Sequence, residues 1–208
     1  LINAATGRIG RWIQLSSVGV YGPVHNGVVT ESTNENPVGL YEVTKAQADL
    51  LVREAAIQDS FEAVILRPSN VYGEEMPNQS LFQLFSMIER GWFFYPGAKG
   101  ASANYVHVTD VVEGLALCAE HPNAKDETFN LSNWDTMESL ANSVADALKC
   151  SRPRLRLPLM PVCLLASTIG RIPRIPLTRN RVDALSCRAK YPTSKIEREL
   201  GFISQISI

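Results

Sequence analysis

A chain of 208 residues, 45% of them hydrophobic, is long enough to bury a sizeable core as one domain with an appended lobe. Twenty Lys and Arg against 21 Asp and Glu leave a net charge of -1, which offers a polyanion nothing to bind and disfavours a nucleic-acid partner. Cys118, Cys150, Cys163 and Cys187 are scattered, with no CxxC pair and no His at metal-ligand spacing, so no disulfide framework or metal site is expected and a reducing cytoplasm fits best.

The chain opens on Leu1-Ile2-Asn3, without an initiator Met and without the charged start and long apolar run of a signal peptide, so a truncated start is expected. Trp12 to Leu15 is a short apolar run ending in Ser16-Ser17, the pattern of a buried parallel strand whose end opens into a polar loop. Gly22 to Gly39, rich in Gly, Pro, Asn and Thr, reads as that loop. Leu40, Val43, Ala46, Leu50 and Leu51 recur at helical spacing and predict an amphipathic helix over 40–56. Phe61 to Leu66 predicts a second buried strand, stopped at Arg67-Pro68 because proline has no N–H for a ladder. Strand, loop, helix, strand is the grammar of a doubly wound α/β sheet.

Further on, a helix over 80–90 and a short strand over 105–108 are expected, then a helix capped by Thr109 or Asp110 that runs to about 120. A strand over 128–131, a helix over 137–149 and a last helix over 193–200, stopped by Gly201, complete the pattern. The Pro- and Arg-rich stretch 151–178 holds the most apolar run, Leu157 to Ile169, which is too short to span a bilayer. No transmembrane helix is predicted.

Tyr41-Glu42-Val43-Thr44-Lys45 puts a phenol and an ammonium four residues apart, hence on one helix face. A tyrosine with a pKa of about 10 is a poor base at neutral pH, and a nearby fixed positive charge favours its phenolate. Tyr191 and Lys195 share the spacing, but Pro192 suits a first helical turn and leaves Tyr191 outside it. His107, between two valines, reads as structural, and His25 and His121 as solvated loop residues.

Ser16-Ser17-Val18-Gly19-Val20-Tyr21-Gly22 ends one predicted strand and Leu66-Arg67-Pro68-Ser69-Asn70 ends the next, which is where ligands of such sheets bind. With SSxxxYG, YxxxK, RPxNxYG and YVHVxD in order and an ELGF ending, the chain resembles the extended short-chain dehydrogenase/reductases, the family of nucleotide-sugar epimerases and dehydratases. The resemblance implies the rear part of a Rossmann-type sheet over 1–69 and 102–134, with a small substrate-binding lobe from 70–101 and 135–208. It also implies NAD or NADP as cofactor, a nucleotide sugar or an apolar alcohol as substrate, and leaves room for a homodimer. By position, Ser17 would hold the substrate oxygen and Tyr41 would give or take its proton. Lys45 would hold the nicotinamide ribose and favour the Tyr41 phenolate. Pro68 and Ser69 would approach the nicotinamide, and Asn70 the substrate.

Two departures stand out. The family's glycine-rich pyrophosphate loop between a first strand and a first helix is absent, because Thr6-Gly7-Arg8-Ile9-Gly10 has no strand before it and a strand, not a helix, after it. The first strands and the residue selecting NAD or NADP are therefore expected upstream of Leu1, and the chain by itself is expected to hold the cofactor poorly. Ala103 stands where nucleotide-sugar enzymes often carry a diphosphate-binding arginine, which leaves Arg179 and Arg181 as the candidates. The apolar stretch 155–177 looks more like the 3β-hydroxysteroid dehydrogenase-like branch, a second enzymatic reading. A non-catalytic relative that keeps the fold as a binding module is a third, opposed by the joint presence of Ser17, Tyr41 and Lys45.

Overall fold

The structure, a computed structural model, describes residues 2–5, 7–74, 76, 80–169 and 178–206. In chain order, α1 (Ile2–Ala5) and β1 (Arg11–Leu15) precede a 3-10 turn at Val18–Tyr21, then β2 (Asn26–Val28), α2 (Leu40–Asp59), β3 (Glu62–Pro68) and β4 (Asn70–Tyr72). There follow α3 (Ser80–Glu89), β5 (Tyr95–Pro96), β6 (Ser102–His107), α4 (Val108–Glu120), β7 (Thr128–Leu131), β8 (Asn133–Thr136) and α5 (Met137–Ala147). The last elements are β9 (Arg156–Leu157), α6 (Leu159–Ile169), α7 (Arg179–Ser186), β10 (Arg188–Lys190) and α8 (Ser194–Leu200).

Among the described residues, β1, β3 and β7 form a parallel sheet with β3 in the middle. The side-chain alternation of β3 sets the layers. Val64 and Leu66 face a cluster with Val111 and Cys118 of α4, Phe129 and Leu131 of β7, and Ile196 of α8. Ala63 faces the other way, toward Val52 and Ala56 of α2. Helices on both faces of a parallel sheet are the doubly wound α/β arrangement expected from the sequence. A second sheet, with β4 parallel and β8 antiparallel to β6, carries the lobe, whose core joins Leu81, Leu84 and Ile88 of α3 to Leu140 and Ala141 of α5.

Several local expectations change. β3 runs through Arg67 and Pro68, with Pro68 opposite Leu131, because a proline at the last strand position loses only a donor and Ser69 N–H takes over at 2.9 Å to Leu131 O. The helix after β6 starts at Val108, and its cap is His107, two residues before the nearer expected cap, with its Nδ1 accepting from Thr109 N–H at 3.2 Å. Asp110, one of the expected caps, is instead buried and accepts from Gln205 N–H and Ser204 Oγ, which ties down the C-terminal segment. His121 also caps, accepting from Asn123 N–H at the turn Pro122–Ala124. The Pro-rich stretch contains a full helix, α6, because Pro161 falls in its first turn, where no N–H is needed. Thr6 and residues 170–177 lie outside the described residues.

Gly22 closes the turn after Tyr21 with φ at 76°, and a Cβ there would collide with the Asn36 carbonyl. That carbonyl is held in place because Asn36 N–H donates to Val20 O at 3.0 Å. Gly22→Ala is therefore expected to cost at least the roughly 1–3 kcal/mol of a sparsely populated backbone conformation. A urea unfolding midpoint indistinguishable from the parent's would show that the turn can relax.

Candidate active site

The carboxyl ends of β1 and β3 lie side by side, since Leu15 and Leu66 are register partners and Ser16 N–H donates to Leu66 O at 2.8 Å. Lys45 reaches this edge from α2 and donates to Leu15 O at 2.8 Å. Its Nζ lies 5.8 Å from the centroid of the Tyr41 ring, one helical turn earlier. Tyr41 is 57% exposed. Ser17 caps the following 3-10 turn, its Oγ accepting from Gly19 N–H at 3.1 Å. A Cβ on Gly19 would come within 3.0 Å of Glu42 Cγ and 3.3 Å of Ser17 Oγ, so the serine loop and the start of α2 pack closely there.

On the neighbouring strand end, the Ser69 hydroxyl is buried and has no hydrogen-bond partner among the described residues. Asn70 opens β4, its Nδ2 donating to Asn104 O at 3.0 Å. Asn70 also lines a cavity of about 250 Å³ between the lobe sheet and helices α3 and α7. Its walls are mostly apolar, with Leu81, Leu84, Phe93 and Phe94, and its polar lining includes Tyr72, Ser80, Gln83, Tyr105 and Arg181. Arg181 donates to Gln83 Oε1. Arg179 is placed elsewhere: it pairs with Asp183 at 3.2 Å and borders a separate groove with Leu159 and Met160. Ala103, 1% exposed, belongs to the apolar core of the lobe. The structure thus brings Ser17, Tyr41, Lys45, Pro68 and Ser69 to one sheet edge, joins Asn70 and Arg181 in the adjoining cavity, and sets Arg179 apart.

A buried polar cluster beneath this edge escaped the sequence reading. Arg67 has a side chain only 2% exposed, donates to Asp49 at 3.1 Å and to Glu35, and lies 5.0 Å from the centroid of the Tyr21 ring. Asp49 also accepts from Ser16 Oγ at 2.7 Å, while Tyr21 donates to Asn130 Oδ1 at 2.9 Å. Burial pushes the Asp49 carboxyl above the usual range, against the pull of the Ser16 and Arg67 hydrogen bonds. The signal was present: an arginine inside an otherwise apolar strand cannot be buried unpaired, and Asp49 falls on the buried stripe of α2 with Val52 and Ala56. The second Tyr-Lys pair is pulled apart as Pro192 suggested. Tyr191 precedes α8, stacks on Tyr21 at 6.4 Å and has its hydroxyl pushed up to about 12 by burial. Lys195 turns away to Glu127 at 2.6 Å. Among the described residues no cluster of His, Cys, Asp and Glu is placed to share a metal ion, and no helix is long and apolar enough to cross a membrane.

A parallel sheet with helices on both faces and side chains gathered at its carboxyl edge is the layout of a Rossmann-type nucleotide-binding protein. The NAD dependent epimerase/dehydratase family signature matches residues 1–132, and the chain belongs to that family. It is 30% identical over 215 residues to the uncharacterized protein y4nG of Sinorhizobium fredii, covering 99% of this chain and 52% of that protein. It is 31% identical over 154 residues to the dTDP-D-glucose 4,6-dehydratase of Homo sapiens, covering 72% and 44%. Among solved structures, the UDP-glucuronic acid 4-epimerase of Bacillus cereus in complex with NAD shares the fold with a TM-score of 0.73 at 18% identity, covering 100% of this chain and 60% of that one. The chain spans about half the length of the curated relatives it matches.

Proposed function

We propose that this chain carries the proton-transfer and substrate-binding part of an NAD(P)-dependent sugar-nucleotide epimerase/dehydratase-type oxidoreductase. The observation that carries this reading is the Lys45 ammonium, held on Leu15 O beside the Tyr41 ring at the carboxyl edge of β1. Tyr41 takes the proton of a substrate carbinol as the hydride leaves its carbon and returns it in the reverse step. Lys45 stabilises the negative charge that Tyr41 develops, and Ser17 holds the substrate oxygen.

NAD(P) supplies the hydride acceptor when bound. The residues at the edge suit its nicotinamide-ribose end. An ammonium has three protons, of which one goes to Leu15 O, and the buried Ser69 hydroxyl has no partner among the described residues, a state that a bound polar group relieves. Asn70 then leads from this edge into the 250 Å³ cavity, where Arg181 supplies the charge for a diphosphate.

The test is turnover of UDP- and dTDP-sugars with NAD(P) by the protein carrying this chain, with product separated by chromatography. Arg181→Ala should weaken nucleotide-sugar binding by roughly ten- to a hundred-fold, the equivalent of one charge-assisted contact worth about 1.5–3 kcal/mol. Arg179→Ala should change it little. The apolar cavity walls favour a second reading, an oxidoreductase acting on an apolar alcohol or ketone. That reading prevails if nucleotide sugars fail to bind the parent and neither arginine matters.

A further inference from the structure

The reaction chemistry needs Ser17, Tyr41, Lys45 and Ser69 in register, yet they come from three separate pieces of chain: the end of β1, the start of α2 and the end of β3. One side chain links the three pieces. Asp49 lies on α2 one turn beyond Lys45 and two beyond Tyr41, so the three share a helix face. Its Oδ2 accepts from Ser16 Oγ at 2.7 Å, one residue before Ser17, and from Arg67 at 3.1 Å, two residues before Ser69. It is 2% exposed, and its Oδ1 has no partner among the described residues. A buried ion pair adds little to stability compared with apolar residues of the same volume, so its placement calls for another reason.

We propose, on the basis of the oxidoreductase reading above, that Asp49 is the positioning residue of this site. Together with Lys45 on Leu15 O, its bond to Ser16 pins α2 to β1 at two points a helical turn apart, which resists both sliding and rotation of the helix that carries Tyr41. Through Arg67 it sets the β3 end against the same helix. A misplacement of about 1 Å between reacting groups is enough to cost on the order of a hundred-fold in rate.

The experiment compares Asp49→Asn, which keeps the volume and removes the charge, with Ser16→Ala, which cuts only the β1 link. Asp146→Asn, in an exposed pair with Arg152, serves as control. Two measurements are made on each, both on the protein carrying this chain: amide hydrogen exchange and steady-state kinetics. Asp49→Asn should raise exchange locally, at Ser16, Gly19 and Ser69, and lower kcat by about ten- to a hundred-fold with KM for the nucleotide sugar held within about two-fold. Ser16→Ala should loosen Ser16 and Gly19 but leave Ser69 protected, and it carries the test alone if Asp49→Asn does not fold. Exchange that rises uniformly or not at all, or an unchanged kcat, overturns the proposal. Should the parent turn over no nucleotide sugar, the nucleotide-sugar reading fails on its own, and the pattern of exchange still decides whether Asp49 locks the three segments.

Discussion

Tyr41→Phe is expected to lower turnover by about 10²- to 10⁴-fold, the usual worth of a positioned proton donor and acceptor. The substitution removes one hydroxyl from a side chain that is 57% exposed, so the fold has nothing to lose. Cofactor affinity should survive, because Lys45 keeps its bond to Leu15 O and its place beside the ring. Lys45→Met should lower both, since it deletes the charge that Tyr41 relies on and a donor to the cofactor. Steady-state rates with a nucleotide sugar, paired with a cofactor titration by fluorescence, separate the two effects. Tyr191→Phe is the matched control, a tyrosine with the same spacing to a lysine whose hydroxyl is buried against Tyr21, and it should leave the rate nearly unchanged. A Tyr41→Phe variant that retains most of its activity would remove this residue from the chemistry and favour the non-catalytic reading.

The largest expected effect on stability is at Arg67. Arg67→Leu fills a similar volume but leaves the Asp49 carboxylate, 2% exposed, with Ser16 as its remaining hydrogen-bond partner of those now seen. Removing one partner of a buried pair costs about 3–5 kcal/mol, a large share of the roughly 5–15 kcal/mol that holds a typical domain together. The deficit should depend on pH. Burial already raises the Asp49 carboxyl, and the Arg67 hydrogen bond and charge pull it back, so the variant raises it further. An acid whose folded pKa lies above its unfolded value of about 3.9 binds its proton more tightly when folded, and stability is then lost as pH rises through the folded value. The gap between variant and parent should therefore be smaller at pH 5 than at pH 7.5 in urea unfolding. An equal gap at both would mean that Glu35 or the Tyr21 contact, not Asp49, carries the loss.

What could be read from the sequence was local. The helix after Gly39, the strands ending at Ser16 and near Pro68, and the pairing of Tyr41 with Lys45 all follow from spacings of two or four residues, where geometry is set by the backbone repeat and little else. The separation of Tyr191 from Lys195 was legible for the same reason, because Pro192 acts on its own neighbourhood. Contacts between distant segments were not. β2 pairs with β10 across Asn26 and Arg188, two short runs with no apolar alternation to announce them. Arg179 and Arg181 look interchangeable two residues apart, yet the turn of α7 sends one to Asp183 and the other to the cavity with Asn70. Asp49, Arg67, Glu35 and Ser16 meet only when helix, strand and loop are packed together. The residue types proposed for the chemistry were written in the chain, but which charges are buried and paired is decided by the tertiary structure, because a charge accepts burial only where the fold delivers its partner.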